Sequence, residues 1–271
     1  MTRRVGVLVV HGMGSQRPES FAAEFIAGVH ARLATRGCAP GQVAIGTGWW
    51  AGLLDPAQLT LARRMREAWK FAGVNAQVRD FVVHAVGDVA AYRAAPNSPA
   101  SVYHRVHDRI AASLGALRDR VGPEAALVIV AHSLGSVICS DHIWDLQVGH
   151  RQGSDPFTRG ETLAGMVTFG STLPLFAMTC EPVIPIRFPA RGLDPALQSA
   201  ARWINVFDRT DVLGYPLRQT SDGYEATVDV DLELSVGPLW KRWVGLSHAE
   251  YWASGAFQEQ VAELIARIAH A

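Results

Sequence analysis

No stretch of about eighteen uncharged apolar residues occurs in the chain, so no membrane-spanning helix is expected. Cysteine is scarce: Cys38, Cys139 and Cys180 are widely spaced and odd in number, and none forms a C-x-x-C pair. Such usage speaks against a disulfide framework and against a zinc or redox site built on cysteine. Neither sign of charge is in excess, with 25 basic and 25 acidic side chains, so no global field favours nucleic acid and no polybasic tail is present. The opening apolar run, Val5 to Val10, ends in His11-Gly12. It is too short for the h-region of a secretory signal, and no A-x-A-type cleavage site follows. The expectation is a soluble, cytoplasmic protein.

What the chain does have is apolar residues, 49% of its 271 positions, ample for a sizeable core. They fall in two patterns. Val5–Val10 and Leu127–Ala131 are continuous runs, the signature of strands buried on both faces of a parallel sheet, and Leu163–Phe169 and Trp203–Phe207 read as further strands. Between them, helical spacing recurs over 18–36 (Phe21, Phe25, Ile26, Val29, Leu33), with Gly37 as a stop signal. It recurs over 101–120 behind a Ser101 N-cap, and over about 250–269 with Phe257, Val261, Leu264, Ile265 and Ile268 on one face. Val43–Trp50 reads as a further strand, and the alternation over Thr227–Val236 reads as an edge strand. No linker or repeat divides the chain. The pattern predicts an α/β fold over residues 1–271: one doubly wound, mostly parallel sheet with helices on both faces.

Two regions depart from the alternation. Residues 51–100 suggest a helical insertion, in which Leu59–Phe71 mixes an apolar side with Arg63, Arg64, Arg66 and Lys70. That stretch reads as an amphipathic helix packed on its own domain or, alternatively, as a basic helix in peripheral contact with anionic lipid. Segment 172–195 carries five prolines in an apolar setting, too many for a long helix, and suggests a lid-like loop over a site.

The chemistry centres on Leu127-Val128-Ile129-Val130-Ala131-His132-Ser133-Leu134-Gly135. An apolar strand that meets a serine among small residues and passes at once into a helix is the context of a nucleophile elbow. Gly135 meets the demand for a small neighbour; Ala131 stands where glycine is usual. A serine needs a base within hydrogen-bond reach, and the base needs an acid to fix its tautomer. Among ten histidines, His248 is the best base by position, in a turn before the last helix. His30, His84, His104, His107, His142, His150 and His270 fall on helices or surface-like segments, and His132 is expected to point away from the serine. The acid is Asp208, directly after a strand, or Asp211, nearer where a loop turns back toward the histidine. An oxyanion hole requires two donors: the backbone N–H of Leu134, and that of Met13 (or Gly12) in the His11-Gly12-Met13-Gly14 loop after the first strand. No cofactor or metal is called for by this set.

VLVVHGMG, VIVAHSLGSVI, TFGS, NVFDRTDVLGYPL and GLSHAEYW, spread over residues 7–252, together resemble the α/β-hydrolase superfamily, specifically its lipase and esterase branch. The resemblance implies a sheet of that type, a catalytic set of Ser133, Asp211 and His248, and oxyanion donors at Met13 and Leu134. A narrower similarity is to DDHD-type intracellular phospholipases, which share HSLGSVI followed by an aspartate (Asp141) and the SHxxYW stretch. The acid expected after that stretch is replaced by Ala253-Ser254-Gly255. The expected function is hydrolysis of carboxylic esters, including acyl lipids, through an acyl-enzyme on Ser133. The alternatives are a non-catalytic binding or scaffold protein on a hydrolase fold, and a metal-dependent hydrolase using Asp208, Asp211 and His248.

Overall fold

A computed structural model of the chain describes residues 3–13, 21–53, 60, 64, 88–92, 101–238 and 247–271. The elements begin with β1 (Val5–Val10), α1 (Ala23–Thr35), β2 (Val43–Gly48) and α2 (Val102–Val121). The serine segment follows as β3 (Ala126–His132) and α3 (Leu134–Val148), then β4 (Leu163–Phe169), α4 (Leu173–Ala177) and α5 (Pro195–Gln198). The last part holds β5 (Arg202–Phe207), α6 (Asp222–Thr227), β6 (Val230–Glu233) and α7 (Gly255–His270).

Six strands form one sheet in the order β2-β1-β3-β4-β5-β6, and every neighbouring pair is parallel. The interior strands β1, β3 and β4 are buried along their whole length, which is why their sequences do not alternate. At the edge, β6 has Val230 and Glu233 exposed. The chain steps outward from β1 to β2 and then back across β1 to β3. Right-handed crossovers in opposite directions set helices on opposite faces. α1 and α7 pack together, with Phe25 stacked on Phe257 at 5.4 Å, while α2 and α3 pack together against β1 and its neighbours. Phe257, Val261, Leu264, Ile265 and Ile268 of α7 are all buried, each worth about 1.5–3 kcal/mol relative to exposure.

The reversal of direction between β1 and β3 is a topological switch point, and doubly wound sheets bind ligands beyond the strand ends there. His11-Gly12-Met13 leaves β1 at this point and Ser133 ends β3 beside it.

Some boundaries differ from the sequence reading. The last helix begins at Gly255, not near Glu250. Ser254 caps it by accepting from the Phe257 amide, and Ser247–Ala253 form a separate 3-10 stretch that carries His248. Helix α6, capped by Ser221, precedes the edge strand and is invisible to periodicity because it has only six residues. Segment 172–195 holds the five-residue α4 and then irregular chain to Asp194. The amphipathic stretch Leu59–Phe71 lies outside the described residues apart from Thr60 and Arg64, as does most of 51–100. Among the described residues, no helix is long and apolar enough to cross a membrane.

Candidate active site

Ser133 has φ 52° and ψ −127°, the one described non-glycine residue with positive φ. A backbone held there costs about 1–3 kcal/mol and persists where its surroundings over-determine it. The surroundings do so. The Ser133 amide donates to the Phe169 carbonyl at 3.0 Å, and the Ser133 carbonyl accepts from both the amide (2.9 Å) and the hydroxyl (2.5 Å) of Ser136. Two glycines permit the turn. A Cβ at Gly12 would lie 2.5 Å from the Ser133 Cβ, and one at Gly135 would run into the His11 carbonyl oxygen. The two strand ends therefore pass at backbone contact.

His248 reaches Ser133 from the 3-10 stretch, with Nε2 2.8 Å from Oγ. Its Nδ1 lies 3.0 and 2.9 Å from the two carboxylate oxygens of Asp211. A carboxylate can only accept, so Nδ1 carries the proton and the Nε2 lone pair faces the serine hydroxyl, the tautomer a general base requires. Asp211 is buried, which by itself would raise its pKa. The hydrogen bonds from His248, the Leu213 amide (3.0 Å) and the Tyr251 hydroxyl (2.9 Å) outweigh burial and hold the carboxyl below its ordinary value. The other candidate acid is committed elsewhere. Asp208 accepts from the Thr210 amide and hydroxyl (both 2.7 Å) and from the Val236 amide (2.7 Å), so it ties its own turn to the chain after β6.

Leu134 directly follows Ser133, and Met13 follows Gly12, which packs against the serine. Leu134 is the first residue of α3, and the leading amides of a helix have no intrahelical acceptor. Met13 is the last described residue of the loop after β1, partly buried against the core. That loop is braced by His11. Nδ1–H donates to the Gly12 carbonyl at 2.7 Å, and Nε2 accepts from the amides of Trp50 (3.1 Å) and Ala51 (3.3 Å). The ring stacks on Trp50, whose indole N–H donates to the His11 carbonyl at 3.0 Å. Burial lowers the His11 pKa to about 4 against the opposing effect of the Gly12 bond, so the brace is neutral near pH 7.

The roles of three residues of the site were not legible in the sequence. His132 does not point idly away: its Nε2–H donates to the His248 backbone carbonyl at 2.8 Å, and the two rings lie 4.7 Å apart. Burial, then the nearby His248, pushes its pKa well down, so His132 stays neutral and does not repel an imidazolium forming on His248. Tyr251 is fully buried, donates to Asp211 and accepts the Asp208 amide at 2.9 Å, so it links the two aspartates. His11 is the third. A spacing of three from His248 to Tyr251, one helical turn, was the available signal for the tyrosine. The contacts of His132 join positions 116 apart and left no local trace.

His107 and His142, expected on helices or surface-like segments, lie on α2 and α3 and are buried between them against Tyr92, Tyr103 and Asp145. Among the described residues, no group of three His, Cys, Asp or Glu side chains is placed to hold a metal ion.

No family model and no curated protein matches the chain. A comparison of structures finds a crystal structure from Xanthomonas campestris pv. campestris, provisionally called a hydrolase of the alpha/beta superfamily, at 13% identity and TM-score 0.43 over 98% of each chain. At that identity and score the likeness carries no chemistry. On its own geometry, the chain is a parallel α/β sheet with a positive-φ serine in the sharp turn from β3 to α3, the strand–turn–helix context of a nucleophile elbow.

Proposed function

We propose that the protein is a serine hydrolase of carboxylic esters, acting through an acyl-enzyme on Ser133. The observation that carries this reading is the single side chain of His248 spanning Ser133 Oγ and the Asp211 carboxylate at hydrogen-bond distance. His248 Nε2 takes the Ser133 proton as Oγ bonds to the ester carbonyl carbon. The oxygen that becomes negative lies toward the amides of Leu134 and Met13, each such donor worth about 3 kcal/mol to the transition state. His248 then gives its proton to the departing alkoxide. Water, deprotonated by the same nitrogen, attacks the acyl-serine, and collapse releases the acid and returns a proton to Ser133. Asp211, kept ionised by its three donors, stabilises the imidazolium in both halves.

Ser133→Ala should abolish turnover of a p-nitrophenyl ester, and activity retained in that variant would sink the assignment. The finer reading, a lipase- or phospholipase-like preference for acyl lipids, draws on the DDHD-like motifs and on the apolar side chains of 172–195. Peripheral contact with an anionic membrane rests on the composition of Leu59–Phe71 alone; absence of salt-sensitive sedimentation with anionic liposomes removes it.

A further inference from the structure

A cavity of about 360 Å³ lies along α3, between that helix and the chain that follows β4. Its apolar wall is made by Val137 and Trp144 of α3, Leu173, Phe176 and Ala177 of α4, and Ile184 beyond it. Two observations tie it to the nucleophile. Val137, the first residue of α3 to line the cavity, is one helical turn after Ser133, and helical side chains lean back over the preceding turn, so the cavity begins about one turn from the elbow. On the facing side, a run of hydrogen bonds joins the elbow to the wall: Ser133 O to Ser136 Oγ (2.5 Å), Ser136 Oγ to Ser171 Oγ (2.7 Å), and Ser171 Oγ to the Leu173 amide (3.2 Å).

The chemistry of the lining selects an apolar occupant. Ser140, Asp141 and Tyr224 also border the cavity, but they are engaged: Asp141 accepts the Tyr92 hydroxyl at 2.8 Å, and Tyr224 is hydrogen-bonded to Ser140. None of the buried polar atoms left without a partner among the described residues lines it. A pocket for a polar ligand needs convergent unpaired groups, and this one offers hydrocarbon. Ile184 in the lining, and Met178 directly after Ala177, stand 56% and 77% exposed, large apolar side chains open to solvent.

We propose that this cavity is the acyl subsite, and that it takes an unbranched acyl chain of medium length with Trp144 as the end stop. The inference rests on the serine-hydrolase reading. From Ser133 to Trp144 the helix rises about 16 Å, of which the backward-leaning Trp144 side chain covers roughly the last turn, about 5 Å. An extended chain advances about 1.2 Å per bond, from about 3.6 Å per three-bond residue. The remaining length therefore accommodates about ten carbons.

The experiment compares p-nitrophenyl acetate, decanoate and palmitate on the whole protein, with fluorophosphonate labelling of Ser133 alongside. Decanoate should exceed acetate in kcat/KM by at least tenfold and exceed palmitate as well. Ala177→Phe, which fills the cavity, should lower the decanoate value tenfold or more while leaving acetate turnover and labelling within twofold. Trp144→Ala should move the optimum toward palmitate. Equal rates across chain lengths, or an Ala177→Phe loss shared equally by acetate and decanoate with labelling intact, would overturn the subsite. Failure to label Ser133 or to turn over any ester would instead overturn the hydrolase reading beneath it.

Discussion

Tyr251→Phe removes one oxygen from the site and leaves its packing in place. The ring, 5.8 Å from Phe169 and 6.1 Å from His132, is retained, and two hydrogen bonds are lost. Asp211 loses a donor at 2.9 Å, a bond to a charged acceptor worth about 1.5–3 kcal/mol. The Asp208 amide loses its acceptor and, if it stays buried, costs about 1–3 kcal/mol. With partial relaxation the variant should lose about 2–4 kcal/mol of stability, read as a lower urea midpoint at unchanged m-value. Asp211 keeps the bonds from His248 and Leu213, so the acid is loosened and not removed. If a third to a half of the carboxylate bond appears in the barrier, kcat falls about 3- to 10-fold with little change in KM. Asp211 is held below its unfolded pKa, so its contribution is present above about pH 4 and is lost as pH falls through the folded value. The gap in stability between parent and variant should therefore be widest near neutrality and shrink below pH 4. A variant with unchanged kcat, or a gap that does not vary with pH, would refute the claim that the tyrosine acts through Asp211.

Gly135→Ala places a Cβ against the His11 carbonyl oxygen, a backbone atom that cannot swing aside; ester turnover should fall more than tenfold, and parent-like kinetics would show that the loop is not seated as described. Burial lowers the pKa of His107 to about 2 and of His142 to about 3. Between pH 6 and pH 4 the unfolded chain takes up protons at both positions while the folded chain does not, so stability is full above about pH 6.5 and lost on acidification, approaching about 1.4 kcal/mol per pH unit for each histidine. His142→Leu should remove one proton from that slope in urea titrations followed across pH, and an unchanged slope would contradict the buried, neutral assignment.

The sheet was legible because its interior strands are buried on both faces, which leaves runs such as Val5–Val10 and Leu127–Ala131 unmixed with polar residues. The Ser133 turn was legible for a related reason: backbone contact at Gly12 and Gly135 restricts residue type, and restriction of that kind is local. Ala131 in the usual glycine position is accommodated within β3, where it pairs with Val10 and Thr168. What escaped depends on contacts between distant elements. Periodicity carried the last helix back to Glu250, although Ser254 was available as a cap four residues further on. His107 and His142 lie on helix faces that read as ordinary polar positions until α2 and α3 are brought together. Asp211 was favoured over Asp208 for lying nearer where a loop turns back, and the contacts that separate a turn cap from a histidine partner are long-range, the Val236 amide on Asp208 and His248 on Asp211.

The central claim is that Ser133 is a nucleophile activated by His248. Intact-mass and peptide analysis after treatment with a fluorophosphonate tests it most directly. One adduct on Ser133 in the folded protein, slowed at least a hundredfold in His248→Ala, is the result the account predicts. A folded protein that takes up no label, or takes it up on another residue, would contradict it.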